Sequence, residues 1–129
     1  MAHKGLKTIY PISIRTLLIK GLGLSEIEIR KEGLPYLAKE LDKGLREAKE
    51  WNWNIEDKSL KTLENYNKLV HYDFSKIHQE GFRGLVRYYK EADKLKKDTK
   101  DTKLKNRWSL SKTIFLKTKL IFTSKKNLF

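Results

Sequence analysis

The spacing of apolar residues near the start of the chain predicts a helix. Ile14, Leu17 and Leu18 fall at positions i, i+3 and i+4, which is one face of a helix. Pro11, which precedes them, suits a first helical turn, where its missing N–H would have no partner. We therefore expect a first helix that starts near Pro11 and is ended by the glycines Gly21 and Gly23.

A short turn or helix, and then a longer helix, are predicted before the middle of the chain. Ser25 followed by Glu28 fits a capping box, in which each side chain bonds the backbone N–H of the other residue. A longer helix is predicted from Tyr36 to about Glu50, because apolar residues recur there at helical spacing. Its apolar stripe consists of Leu37, Leu41, Leu45 and Ala48. The four residues from Trp51 to Asn54 are predicted to form a loop or the end of this helix.

The next two predicted helices meet at a glycine. Ser59 is placed to cap a helix that has apolar residues on one side from Leu60 to Ile77. Gly81 would end this helix by adopting a left-handed conformation. Residues 82–97 are predicted to be helical again, with an apolar face of Leu85, Val86 and Tyr89.

The composition of the chain changes towards its end. Residues 94–107 contain seven Lys and Arg, two Asp and two Leu, which are too few apolar side chains for a core of their own. Residues 108–129 alternate apolar and basic side chains, a pattern that fits either a strand or a helix packed on a partner. The sequence thus predicts a mostly α-helical small domain over residues 1–97, with a long basic C-terminal extension over residues 98–129.

The basic charge is concentrated in the last third of the chain. The 129 residues carry a formal net charge of +13. Residues 81–129 hold 15 Lys and Arg against 4 Asp and Glu, a net charge of +11, so nearly all of the excess lies there. A compact protein with this charge repels itself, and we expect a polyanion that neutralises it.

The basic residues of this last third form a candidate RNA-binding site. Closely spaced cations neutralise phosphates and release counterions, which gives strong, salt-dependent binding. The alternative is a solvated basic surface. Aromatic residues lie among these cations, and they fit either stacking on unpaired bases or ordinary core packing. They are Phe82, Tyr88, Tyr89, Trp108 and Phe115, of which Trp108, directly after Arg107, is the best candidate for stacking. The predicted RNA-binding residues are Arg83, Arg87, Lys90, Lys94, Lys96, Lys97, Lys100, Lys103, Lys105, Arg107, Trp108 and Lys112.

Two glycines flank an aromatic residue and an arginine at the start of this segment. With Gly81 and Gly84 on either side of Phe82 and Arg83, the backbone could turn tightly and approach a phosphate closely. The alternative interpretation is a helix stop followed by a turn.

The sequence contains few of the residue groups on which catalysis or metal binding depends. It has no cysteine, which excludes disulfides, zinc ribbons and thiol catalysis. His71 and His78 would lie about 10 Å apart along a helix, too far to share one metal ion. No carboxylate pair, catalytic triad or glycine-rich phosphate loop has a convincing spacing. We therefore expect no enzymatic activity, no metal ion and no cofactor.

Three segments of the chain form an ordered set, namely residues 8–13 with 22–24, residues 81–87 and residues 96–100. In this order they resemble the bacterial-type family of the thirteenth protein of the small ribosomal subunit. Residues 8–13 and 22–24 are similar to the family's early Ile-Tyr-Gly-Ile-Gly turn and its later Leu-Gly-Ile. Residues 81–87, with the sequence Gly-Phe-Arg-Gly-Leu-Val-Arg, resemble the family's Ser-Tyr-Arg-Gly-Leu-Arg-His. Residues 96–100 stand where the family has Gly-Gln-Arg-Thr-Lys. Ala92 and Asp93 replace the family's Leu-Pro, which favours a continued helix, and such departures suit a divergent mitochondrial version.

The resemblance implies a structural role in a ribosome. Proteins of this family lie in the head of the small subunit, bind its ribosomal RNA and pair with the nineteenth small-subunit protein. They form bridges to the large subunit, and their basic tail approaches the tRNA in the peptidyl site. The resemblance implies that Arg83 and Arg87 contact ribosomal RNA or support the turn near it, and that the lysines of residues 96–105 are tail contacts. The expected location is the ribosome of the mitochondrial matrix, in preference to the cytoplasm.

Two other functions share some of these features. A helical protein that coats DNA, in a nucleoid or a capsid, would have the same charge and would bind with little preference for single strands. An accessory subunit of an inner-membrane complex would explain the apolar residues at 9–24 and 114–122. No apolar run approaches the roughly 18 residues that span a bilayer, so a membrane partner is not expected.

Overall fold

The computed structural model describes residues 8–66, 72–95 and 110–124, and the side chains of residues 10–65, 72–92 and 110–124. Helices account for most of these residues, which confirms the mostly α prediction. The elements are β1 (Thr8–Ser13), α1 (Ile14–Thr16, continued by a π-helical turn at Leu17–Gly21), α2 (Glu26–Lys31), α3 (Leu34–Glu47), β2 (Trp51–Ile55), α4 (Asp57–Tyr66), a 3-10 turn (Phe74–Lys76), α5 (Ile77–Leu95), α6 (Lys112–Lys117) and β3 (Lys119–Ser124). The three strands form one antiparallel sheet in the order β1-β3-β2.

The first helix begins later than the sequence predicts. Pro11 lies in β1, and α1 starts at Ile14, where the Ser13 side chain caps its first turn. Within this sheet β1 is an edge strand, and its register with β3 shifts around Pro11. An irregular edge tolerates proline because it needs no ladder hydrogen bond from that residue. The predicted apolar face is confirmed, since Ile14 and Leu18 are fully buried.

The capping box is confirmed, and so is the leucine part of the predicted stripe, whereas Ala48 lies just after the end of α3. The Glu28 N–H donates to the Ser25 hydroxyl, and the Ser25 N–H donates to the Glu28 carboxylate, both at 3.1 Å. α3 begins at Leu34, and Pro35 fits its first turn. The side chains that α3 buries are Leu37, Ala38 and Leu41. This buried face packs α3 into the core beside α5.

The segment after α3 is a strand, so the prediction of a loop or helix end was wrong. β2 pairs antiparallel with β3, from Trp51 opposite Ser124 to Ile55 opposite Leu120. Its side chains alternate between half-buried and exposed, and Trp51, Trp53 and Ile55 pack against the core. This alternation has the period of two that a half-buried strand requires.

Residues 110–124, which the sequence analysis assigned to the basic extension, belong to the folded domain. Ser111 caps α6, whose Phe115 is buried, and β3 follows with Leu120 and Phe122 buried. β3 lies between β1 and β2 and is the central strand of the sheet. Helix and strand, the two alternatives for this segment, therefore occur one after the other. The other residues of the predicted extension, 98–109 and 125–129, lie outside the described part of the chain.

Between α4 and α5 the structure differs from the long helix predicted to end at Gly81. Ser59 lies inside the first turn of α4 rather than at its cap, and a 3-10 turn precedes α5. Gly81 lies within α5 at a kink, with φ 73° and ψ −179°. α5 continues through Ala92 to Leu95, which confirms the continued helix expected there.

Candidate nucleic-acid interface

Asp42 of α3 caps the part of α5 that follows the kink at Gly81. Its Oδ1 accepts a hydrogen bond from the Phe82 N–H at 2.8 Å, and its Oδ2 accepts one from the Arg83 N–H at 2.9 Å. Such N–H groups at the start of a helical segment have no partner within the helix itself. Burial raises the pKa of Asp42, although these two hydrogen bonds and the charges of Arg46 and Arg83 oppose the rise.

The backbone at Gly81 therefore binds a carboxylate of the same chain. The flanking glycines had pointed to a backbone that approaches phosphate, and this interpretation is corrected, since the Phe82 and Arg83 N–H groups already donate to Asp42. The Arg83 side chain is exposed, so the guanidinium remains the group at this turn that can contact a phosphate.

Three of the predicted RNA-binding residues line one groove between α5 and α3. Arg83, Arg87 and Lys90 are spaced four and three residues apart, which places them on the same face of α5. Lys39 and Tyr36 of α3 line the groove with them, and its volume is about 380 Å³. We call it the basic groove, lined by Pro35, Tyr36, Lys39, Arg83, Val86, Arg87 and Lys90.

The basic groove combines positive charge with a neutral hydroxyl group. Four of its side chains are cationic and exposed, and none of the described residues that line it is acidic. Partial desolvation, followed by the charges of Glu40, Glu28 and Glu32, raises the pKa of Tyr36 above its ordinary value, and its phenol is neutral at pH 7 as in any tyrosine. Guanidinium and ammonium groups beside a hydroxyl group form a suitable set of hydrogen-bond donors for phosphate oxygens.

Lys39 and Tyr36 were absent from the predicted site. Both lie on α3 outside the leucine stripe, where lysines and glutamates alternate as they do on any solvated helix face. Only the packing of α3 against α5, which Asp42 reinforces, brings Lys39 to the same groove as Arg83 and Arg87. No local pattern in the sequence distinguishes these two residues from their neighbours.

Lys112 has a different environment from the one predicted. Its Nζ donates hydrogen bonds to the backbone carbonyls of Glu32 at 2.7 Å and of Arg30 at 3.0 Å. These carbonyls lie at the end of α2, where they lack helical partners and where the helix dipole favours a cation. Lys112 thus joins α6 to α2, and its ammonium group is engaged by the fold.

The remaining predicted RNA-binding residues are only partly described. Lys94 lies in the last turn of α5, where the backbone alone is described. Outside the described residues lie Lys96, Lys97, Lys100, Lys103, Lys105, Arg107 and Trp108.

The aromatic residues among the cations belong mostly to the core. Phe82, Tyr89 and Phe115 are buried, as the core-packing alternative predicts for them. Phe82 and Phe115 meet edge to face, with ring centroids 6.0 Å apart. Tyr88 is 37% exposed and packs edge-on against Tyr72 at 5.2 Å. The three buried rings therefore have no face available for a base.

Residues 8–66, 72–95 and 110–124 contain no group of three His, Asp or Glu side chains that could hold a metal ion. None of the helices in these ranges is both long enough and apolar enough to cross a membrane. Comparisons with protein families, with curated proteins and with solved structures found no match to the chain.

Proposed function

We propose that the protein is a structural, non-catalytic RNA-binding component of a mitochondrial small ribosomal subunit. The observation that carries the proposal is the basic groove, where Arg83, Arg87 and Lys90 of α5 meet Lys39 of α3. The identity of the RNA comes from the segments that resemble the thirteenth small-subunit protein, one of which contains Arg83 and Arg87. The groove supports this assignment because it gathers cations from two separate helices into one site of phosphate-binding chemistry.

The proposed mechanism is neutralisation of RNA phosphates. Arginine forms paired hydrogen bonds with two phosphate oxygens, and lysine acts as a compact point charge. Each neutralised phosphate releases counterions, so the four groove cations alone would give a slope of roughly −3 to −4 in log K against log salt concentration. The groove would thereby fix the position and direction of one RNA strand against α3 and α5.

The groove is the proposed start of a longer track of phosphate contacts. Lys94 follows Lys90 by four residues on α5, and the chain then continues into the lysine-rich residues 96–107. In this proposal the groove between α3 and α5 binds one part of the RNA strand. The lysine-rich sequence then neutralises the phosphates of the part that follows. The surface of the N-terminal helices outside the groove is the proposed place for contacts with proteins.

The resemblance also supplies the proposed partners. These are the ribosomal RNA of the subunit head, the nineteenth small-subunit protein, bridge elements of the large subunit and the tRNA in the peptidyl site. The proposed location is the ribosome in the mitochondrial matrix. None of these partners requires a cofactor or a membrane.

Sedimentation of the tagged protein from a gentle lysate tests the proposal. We expect co-migration with a small ribosomal subunit, a collapse of that migration on ribonuclease treatment, and crosslinks to ribosomal RNA of the head. Migration with DNA that deoxyribonuclease abolishes would contradict the proposal and favour a DNA-coating protein. Membrane association that resists both salt and ribonuclease would favour an inner-membrane accessory subunit.

Charge-reversal variants distinguish RNA binding by the groove from an effect of the overall charge. The double variant Arg87→Glu, Lys90→Glu should lose subunit association and should flatten the salt dependence of RNA binding. The matched control Lys20→Glu, Lys61→Glu changes the net charge equally at exposed positions outside the groove, and it should retain association. Equal loss in both variants would mean that only net charge matters. Reversal of Lys96, Lys97 and Lys100 tests the proposed continuation of the track in the same assay.

A further inference from the structure

The edge strand β2 carries a second surface in which aromatic, amide and basic side chains lie together. It borders a cleft of about 530 Å³, which is open to solvent and polar in its lining. None of the described residues that line this cleft is acidic. We call it the β2 surface, formed by Arg46, Lys49, Trp51, Asn52, Trp53, Asn54 and His78.

Three aromatic rings contact one another in series from this surface into the core, the outer pair tilted and the inner pair stacked. The His78 and Trp53 ring centroids are 4.2 Å apart with an interplanar angle of 41°, and those of Trp53 and Phe82 are 5.3 Å apart at 30°. Phe82 is fully buried, Trp53 is half-buried and His78 is exposed. His78 Nε2 also lies 2.8 Å from the Asn54 Oδ1, which fixes the orientation of the outer ring. The surface therefore presents one flat, exposed ring on a rigid support.

The groups around this ring can recognise the other parts of a nucleotide. Asn52 and Asn54 occupy the exposed positions of β2, and amides both donate and accept hydrogen bonds. Arg46 and Lys49 line the same cleft and supply positive charge for a phosphate. Base, base edge and phosphate thus each have a suitable group within one cleft.

The β2 surface is continuous with the basic groove. A smaller cleft of about 220 Å³ lies between them and is lined by Arg83 from the groove and by Arg46, Trp53 and His78 from the β2 surface. Asp42 and Glu80 also line this smaller cleft and bring negative charge to it, which the charges of Arg46 and Arg83 in the same lining oppose. A strand in the groove would therefore pass Arg83 and reach His78.

We propose that the β2 surface binds an unpaired nucleotide of the RNA strand that occupies the basic groove, with its base stacked on His78. This inference rests on the proposed function and adds that the bound RNA is single-stranded at this place. In a duplex the face of each base is covered by its neighbours, whereas an unpaired base can swing out and stack on an aromatic side chain. Arg46 and Lys49 neutralise the adjoining phosphate, and Asn52 and Asn54 contact the edge of the base.

Fluorescence anisotropy with the full chain tests the proposal, using a short unstructured single-stranded RNA and a duplex RNA of the same length. His78→Ala should weaken single-strand binding by about 5-fold to 150-fold, the range expected for one stacked base, and should leave duplex binding unchanged. His78→Phe keeps a flat ring and should restore single-strand binding. Tyr10→Ala is the matched control, because it removes an aromatic ring that is 88% exposed on the other edge strand, and it should change neither affinity.

A base analogue in the single-stranded RNA gives a direct readout of stacking. Fluorescence of 2-aminopurine should be quenched on binding to the wild type and to His78→Phe, and it should stay unquenched with His78→Ala. Unchanged single-strand affinity in His78→Ala, or an equal loss for both RNAs, would overturn the inference. If Arg87→Glu still weakens both RNAs in that case, the groove proposal survives. If the wild type binds neither RNA, both proposals fail.

Discussion

The carboxylate of Asp42 occupies the space that a side chain at Gly81 would need. A Cβ atom added at Gly81 would lie 2.6 Å from the Asp42 Oδ2, closer than real Cβ contacts allow. The same carboxylate accepts the two N–H groups that follow Gly81, at 2.8 and 2.9 Å. The kink in α5 and its cap on α3 are therefore one unit, and this unit sets the relative position of the two helices that form the basic groove.

Gly81→Ala should destabilise the protein strongly. Gly81 has φ 73° and ψ −179°, a region that residues other than glycine occupy at a cost of about 1–3 kcal/mol, and the contact with Asp42 adds to that cost. Urea unfolding measures the loss. Gly21→Ala is the control, since a Cβ there meets nothing within 4 Å, and we expect no destabilisation. Similar losses in the two variants would contradict the special role of Gly81.

Asp42→Ala should lower the free energy of unfolding by about 1–2 kcal/mol, because it removes a helix cap. In an Asp42→Ala background, Gly81→Ala should cost less than in the wild type, since the closest atoms to the new Cβ belong to Asp42. A double-mutant cycle by urea unfolding measures this coupling, which is expected to be about 0.5–3 kcal/mol for residues in contact. Strict additivity would show that the cap and the glycine act independently.

Asp42 and Asp73 should respond to pH in opposite ways. Burial raises the pKa of Asp42 above its ordinary 3.8, whereas hydrogen bonds from Ser75 lower the pKa of Asp73 below it. Above pH 3.8, native Asp42 retains its proton better than the unfolded chain does. Its contribution to stability therefore falls as the pH rises through the raised native pKa. The contribution of Asp73 is present above pH 3.8 and is lost as the pH falls through its lowered native pKa.

NMR titration of the side-chain carboxyl carbons checks this pair directly, and Asp42 should titrate at the higher pH. In unfolding experiments over the same range, Asp42→Asn should reduce the loss of stability with rising pH. Asp73→Asn should instead reduce the loss of stability with falling pH. A native Asp42 that titrates below Asp73 would contradict the burial argument.

The sequence predicts the features that depend on near neighbours. The Ser25–Glu28 capping box and the buried face of α3 were both predicted, because each depends on residues that lie within one or two helical turns of one another. The Asp42 cap joins residues 40 apart, so no local pattern could indicate it. The sheet is harder still to predict from the sequence, because its central strand β3 pairs with β1 from the other end of the described chain.

The candidate site follows the same division between local and distant relationships. The cations of α5 were predicted because they cluster in sequence, and three of them share the basic groove with Lys39. Lys39 and the β2 surface were missed because they become neighbours of Arg83 only through packing. Lys112 shows the converse relationship, because the sequence predicts it as an RNA contact and the structure shows its ammonium group bonded to backbone carbonyls. Its charge counted towards the basic segment, but its two carbonyl partners lie about 80 residues earlier.

Lys112→Met should reduce stability but not RNA binding, and Lys90→Met should reduce RNA binding but not stability. Lys112 donates to two backbone carbonyls, so its loss should cost about 1–2 kcal/mol in urea unfolding and leave RNA affinity unchanged. Lys90 is exposed in the basic groove, so its loss should weaken RNA binding and change stability by no more than about 0.5 kcal/mol. Both substitutions remove one positive charge, which makes each the control for the other. Weaker RNA binding by a stably folded Lys112→Met would return this lysine to the RNA-binding site, and equal binding losses in both variants would leave net charge as the only determinant.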